Sequence, residues 1–419
     1  MTNAAAASLG SSLSLFWILP FALMLASIAV FPLVLSHWWE VHWNKLVLSL
    51  LLGAPVFFFY LQKSPHTLLE TLLEFLSFII LLASLYVVAG GILLTGDLRA
   101  TPQTNTAFLA VGTVLASLIG TTGASLLMIR PVLQTNAERT RKVHTVIFFI
   151  FLVSNIGGCL TPIGDPPLFV GYLEGVPFVW TLGLWEEWLG TAILLLLVYF
   201  IWDSVMFSRE PTAALMRDKL RIKPLRLMGL HNVLFLLAVI LSVAFLHAPY
   251  RELAMLAAAG LCLRTTPPEI RRANKFTYYP IVEVLVVFFG IFLTMIPALD
   301  ILRARAADLG ISQPWHFFWI AGSLSSFLDN TPTYLVFLNV ARGLNMPNEV
   351  AGVTEAVLRA ISLGSVFMGA NTYIGNAPNF MVRTVASESG LKMPSFFGYM
   401  LYSIGVLIPI FVALTFVFF

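Results

Sequence analysis

The chain has 419 residues, of which 58% are hydrophobic and only 11% charged, with a mean hydropathy of +0.88; a soluble globular domain carries about 25% charged residues. Its net charge of +3 rests on 24 Lys and Arg gathered in a few loops, which argues against a nucleic-acid partner and for membrane orientation signals. Continuous apolar runs such as 13–35 and 395–419 are long enough for a hydrocarbon core of about 30 Å and do not alternate with period two, so a β-barrel is excluded and an all-α polytopic membrane protein is expected.

Taken in chain order, residues 1–203 read as spans at about 13–35, 44–62 and 72–95, a segment broken at its middle (106–134), a second broken segment (143–175) and a closing span (184–203). The stretch 13–35 exceeds a signal-peptide core and lacks a basic flank and a small-residue cleavage pattern, so it is expected to be retained. A basic linker, 204–229, follows with Arg209, Arg217, Lys219, Arg221, Lys223 and Arg226. With the loop 137–142 (Arg139, Arg141, Lys142), it is expected on the cytoplasmic side of a bacterial inner membrane. Residues 230–419 repeat the order: spans at about 230–247, 249–265 and 278–299, broken segments at 315–343 and 352–388, and a span at 395–419. The span at 249–265 is the weakest, with Arg251 and Glu252 at its edge. Cys159 and Cys262 both lie in apolar surroundings and suggest neither a disulfide nor a thiolate metal site.

Similarity between the halves is the most informative feature. Ser154 to Phe169 (SNIGGCLTPIGDPPLF) and Ser365 to Phe380 (SVFMGANTYIGNAPNF) agree at seven of 16 positions without a gap, against roughly one by chance. GILLT at 91–95 parallels GIFLT at 290–294, and SLIGTTGAS at 117–125 parallels SFLDNTPTY at 326–334. If 106–134 and 315–343 are re-entrant hairpins, each half crosses the membrane an odd number of times and the halves lie inverted. The basic loops, including Arg264, Arg271, Arg272 and Lys275, then share one side. Inverted repeats with interrupted helices are the mark of secondary transporters.

Four breaks stand out: Gly120-Thr121-Thr122-Gly123, Gly157 to Pro167, Asp329-Asn330-Thr331-Pro332 and Asn371 to Pro378. Backbone freed by such residues survives in a membrane only when buried in protein or lining a wet cavity. Its carbonyls suit Na⁺, while half-helix N-termini suit anions. Two breaks carry a carboxylate, Asp165 and Asp329, and an acid at bilayer depth costs about 2.5 to 3.5 kcal/mol on insertion scales. Each is therefore a candidate ion or proton site, and each could instead cap the half-helix that starts beside it. The candidate set around them is Asn330, Thr331, Thr161, Gly164, Thr121, Thr122, Asn155, Asn371, Thr372, Asn376 and Asn379, with Asp329, Asp165 and Asn330 as the Na⁺ ligands.

Glu283, inside an apolar span, is a candidate proton carrier or charge partner, or an interfacial carboxylate. Glu70, Glu74, Asp97, Asp300 and Asp308 read as interfacial, as do His144 and His316. Arg130 and Arg342, near hairpin ends, read as snorkelling side chains. Walker phosphate loops, metalloprotease His pairs and nucleophile elbows are missing from the sequence. No catalytic residues or cofactors are therefore expected, and coupling falls to an ion gradient.

At these breaks the sequence resembles the ion transporter superfamily of divalent anion:sodium symporters, citrate carriers and D-type sodium/proton antiporters. IGGCLTPIGDPPLF at 156–169 is similar to its Gly-Gly…Thr…Gly-x-Pro-Pro-Asn loop, and IGTTGAS at 119–125 and LDNTPTY at 328–334 resemble its hairpin tips. The resemblance implies an inverted-repeat homodimer in which a moving transport unit binds Na⁺ and substrate at those tips. The chain departs from the symporter pattern at Gly120-Thr121-Thr122, at Asp329 and at Leu168, although Asn379 keeps the loop's Asn in the second half. Added negative charge disfavours a carboxylate pocket. The leading expectation is Na⁺/H⁺ antiport by alternating access, with sodium and protons as coupled ions. The alternatives are Na⁺-coupled citrate or dicarboxylate symport and a channel or non-transporting membrane subunit.

Overall fold

The computed structural model describes residues 9–419, and it is almost wholly helical. In chain order the elements used below are α1 Leu19–Val34, α2 His42–Lys63, α3 Pro65–Ala89, β1 Leu93–Asp97, α4 Pro102–Ile119, α5 Thr121–Thr135, α6 Val143–Leu152, α7 Pro166–Leu173, α8 Trp185–Ser208, α9 Thr212–Leu220 and β2 Lys223–Met228. They continue with α10 Asn232–Phe245, α11 Tyr250–Thr265, α12 Tyr279–Ala304, α13 Pro314–Ser325, α14 Asn330–Gly343, α15 Glu355–Met368, α16 Ala377–Glu388 and α17 Phe396–Phe418. Among the described residues, seven helical stretches are long and apolar enough to cross a membrane: Leu15–Pro32, His42–Lys63, Pro65–Ala89, Val143–Leu160, Phe178–Ser208, Tyr279–Ala304 and Phe396–Phe418. The protein is a multi-pass membrane protein.

Burial sorts these spans. The Val143–Leu160 window is 89% buried inside the protein, whereas Leu15–Pro32 and Phe396–Phe418 are only 22% and 28% buried. The first therefore lies in the protein interior, and the other two present apolar side chains to lipid.

The third span differs from its expected 72–95. Its helix starts at Pro65 and stops at Ala89, because Gly90-Gly91 removes the side chains that would propagate it. Residues 93–97 form β1, which pairs antiparallel with β2 from the linker. The linker is thus an ordered helix and strand rather than an open loop. Gly96, at a bulge with φ +132°, sits where a Cβ would meet Leu225 Cα and Pro224 O at 2.7 Å, so only glycine admits the crossing strand. The pair α10 and α11, expected as spans at 230–247 and 249–265, falls outside the seven. α10 has 14 residues, about 21 Å of helix, and α11 begins on the buried Arg251–Glu252 ion pair, which also engages Ser77 of α3.

Both segments, 106–134 and 315–343, are divided into two helices. A single residue, Gly120 at φ +79°, separates α4 from α5, a conformation that a side chain would strain. Residues 326–329 separate α13 from α14. With 12 residues, α13 reaches about 18 Å, well short of a bilayer core. The arms beyond the tips pack across the sequence: α5 against α16, and α14 against α7. Each hairpin's second arm thus lies on the half-helix that ends the broken segment of the other half. Gly171 makes the α7–α14 approach close enough that a Cβ there would lie 2.4 Å from the Tyr334 hydroxyl.

Candidate functional site

Pro166 and Pro167 start α7 where their missing amides leave nothing unpaired, and Asp165 precedes them as N-cap. Its side chain makes no cap bond. At 1% exposure, the carboxylate is instead turned across the molecule to three neutral donors. Thr121 Oγ1, at the first hairpin tip, donates to Oδ1 at 2.9 Å. Asn330 Nδ2, at the second tip, donates to Oδ2 at 2.8 Å. Asn376 Nδ2, before α16, donates to Oδ1 at 3.2 Å. One carboxylate therefore ties together all four breaks.

Asp329 behaves differently. Its side chain accepts the Thr331 amide at 3.1 Å as the N-cap of α14, and it is partly exposed. This residue caps the half-helix, as the simpler reading of the sequence expects, whereas Asp165 does not.

A second layer of amides surrounds Asp165. Asn155 Nδ2 donates to Asn379 Oδ1 at 2.7 Å, and Asn376 Nδ2 donates to Ser154 O at 3.1 Å and reaches Asn155 Oδ1 at 3.3 Å. Asn379 in turn donates to the Gly369 and Thr372 carbonyls at 2.8 and 2.9 Å, which fixes the unwound turn and leaves a second lone pair on each oxygen. Gly164 accepts the Thr121 amide at 2.8 Å through its carbonyl. A Cβ on Gly164 would lie 2.2 Å from Gly158 O, which makes the tight turn glycine-dependent.

Thr161 and Thr372 do not face the carboxylate. Their hydroxyls donate to Ser117 O and Ser326 O, the aligned positions of the two hairpins. Ser117 and Ser326 donate onward to Gly157 O and Met368 O, again aligned positions. These serines lie in the parallel blocks SLIG and SFLD, yet the sequence gives no reason to separate them from other span serines. Asn371 donates to Ser326 Oγ at 2.9 Å and so supports the second hairpin. Thr331 contributes its amide to Asp329, and Thr122 is half-buried with no hydrogen bond to either aspartate. Glu283 joins none of this. It pairs with Lys45 of α2, a lysine 1% exposed.

Several interfacial readings are corrected. His144 is buried, with Nε2 at 2.8 Å from Asp203 Oδ1, and Arg139 Nη1 reaches the same oxygen at 2.7 Å. Asn105 donates to Asp203 Oδ2 at 3.1 Å and exchanges hydrogen bonds with Asn136. The group clamps α4, α5, α6 and α8 at one end. It escaped the sequence reading because its members are scattered over about 100 positions and Asp203 follows directly on an apolar run. His316 accepts backbone amides through Nδ1 and closes a capping box on α13. Asp300 accepts the Tyr60 hydroxyl at 2.6 Å. Rather than snorkelling, Arg130 donates to Asn274 O, and Arg342 binds Glu174 and the Ala351 carbonyl.

The site can therefore bury one negative charge among neutral oxygen and amide groups. The ion pairs of the described residues lie elsewhere, among them those of Glu283, Asp203, Glu174, Glu187 and Glu252. No curated protein matches the chain. The family described as "Putative citrate transport" matches residues 10–419. With a buried polar centre where four helix breaks meet inside an apolar bundle, the chain belongs to that family and is a membrane transporter of the citrate-transporter type.

Proposed function

We propose that this transporter exchanges sodium for protons, with Asp165 as the shared binding group. The observation that carries the reading is the buried carboxylate of Asp165, held by the neutral donors Thr121, Asn330 and Asn376 and, among the described residues, ion-paired with no Lys or Arg. A lone carboxylate at low dielectric must be protonated or paired with a cation, so one group serves either ion and excludes the other. Asp329, capping α14 and partly exposed, lies on the entry side of the second tip and passes the ion inward. Asn155 and Asn379 hold the unwound turns that supply carbonyl ligands. The hydrogen bonds repeated at aligned positions support an inverted-repeat frame that opens alternately to the two sides. The basic loops orient it with 137–142 and 204–230 in the cytoplasm.

Na⁺-coupled symport of citrate or another carboxylate is the second reading, favoured by the family description and by Asn379. It requires that cations outnumber the two aspartate charges before an anion enters. Reconstitution into liposomes with an internal pH dye tests both. A Na⁺ pulse alone should shift internal pH with wild-type protein and not with Asp165→Asn. A response that needs citrate together with Na⁺ would replace antiport by symport.

A further inference from the structure

The linker between the halves has an unusual surface. Residues 209–230 connect the end of α8, a helix long and apolar enough to span, to the shorter apolar helix α10, so they start where the chain leaves a span. Six bases sit in this stretch, and all are exposed: Arg209, Arg217, Lys219, Arg221, Lys223 and Arg226. Its two acids are not. Glu210 turns inward to accept the Thr140 and Arg141 amides at 3.0 and 2.7 Å, and Asp218 accepts the Ala100 amide at 3.1 Å. Burial further raises the Asp218 carboxyl above its ordinary range.

Large apolar side chains alternate with the bases and are equally bare. Met216 is 58% exposed, Leu220 86% and Leu230 60%, and every residue of β2 is exposed. Water alone would penalise such a strip, and a solvated basic loop would not carry it. Cationic heads interleaved with apolar side chains, directly after the end of the spanning helix α8, match the boundary between headgroups and acyl chains.

We propose that the 209–230 strap is an anionic-lipid docking surface, its bases on phospholipid phosphates and its Met and Leu side chains in the acyl boundary. The same strap grips the loop 140–141 ahead of α6 through Glu210, and the residue before the α4 hairpin through Asp218. Lipid charge is thereby connected to both elements that carry the first half of the site.

The test uses full-length protein with a polarity-sensitive fluorophore at Leu220→Cys; the native Cys159 and Cys262 are buried. It is placed in phosphatidylcholine vesicles with or without phosphatidylglycerol, each doped with a spin-labelled quenching lipid. Quenching should be stronger with phosphatidylglycerol. The variant Arg217→Gln, Lys219→Gln, Lys223→Gln, Arg226→Gln should lose that difference, the phosphatidylglycerol requirement rising roughly fivefold for each base removed. Arg221 is left in place because it pairs with Glu138. An unchanged detergent melting temperature shows that the variant is folded; should it melt early, Lys219→Gln and Arg226→Gln singly serve instead. A water-like label in both lipids would overturn the proposal, as would quenching indifferent to lipid charge, or self-quenching that grows with protein density and so reports a second copy on the strap.

Discussion

Asp165 and Asp329 look alike in the sequence, each an acid just before a half-helix, and their surroundings separate them. Asp329 spends its carboxylate on the Thr331 amide. Its replacement by alanine should cost about 1 kcal/mol of stability from the lost cap, whereas Asp329→Ser, which keeps a capping oxygen, should recover most of that. If transport falls equally in both variants while stability differs, the charge rather than the cap is what transport needs. Asp165→Asn places an amide opposite two amide donors and one hydroxyl, and one donor is left without an acceptor. A loss of about 1 to 3 kcal/mol in thermal or denaturant unfolding is expected, together with loss of ion exchange. The residue types of the site were legible because polar groups inside apolar spans are conspicuous. Which of them meet was not, since Thr121, Asp165, Asn330 and Asn376 are spread over 256 positions and nothing local states that three donors converge on one acid.

At the scale of elements, the breaks were readable for a physical reason: Gly, Pro and Asn cannot be idle in a lipid-spanning helix. The stretch 315–343, for example, is occupied by two helices over Pro314 to Gly343, interrupted at 326–329. The third span was misjudged at its end because Leu93 and Leu94 are apolar whether they continue a helix or pair with Leu227 and Met228 in a strand. Close packing at Gly171 gives a direct test of the α7–α14 contact. Gly171→Ala should destabilise the protein by about 1 to 3 kcal/mol through overpacking, and adding Tyr334→Phe, which removes the atom nearest the new Cβ, should return part of it. Full additivity of the two substitutions in melting experiments would mean that the contact is not formed.

For the whole molecule, the two halves are held together at the site by amides, some on the Asp165 carboxylate and some on one another, rather than by ion pairs. The Asn155–Asn379 bond spans 224 positions, and a double-mutant cycle with Ala at both should give a coupling of about 0.5 to 1.5 kcal/mol. A coupling near zero would show that the halves meet elsewhere. Membrane class was legible from hydropathy, because it is a property summed over many residues. The ordered linker was not, since its bases and leucines alternate too quickly to suggest either a span or a soluble helix.

The crossed seating of α5 on α16 and of α14 on α7 has a consequence for fidelity. Because each hairpin's second arm is seated on a half-helix of the opposite half, neither arm can move without displacing its neighbour across the repeat boundary. Under the exchange proposed above, loosening either contact should surface first as slippage, ion flux without counter-flux, rather than as silence.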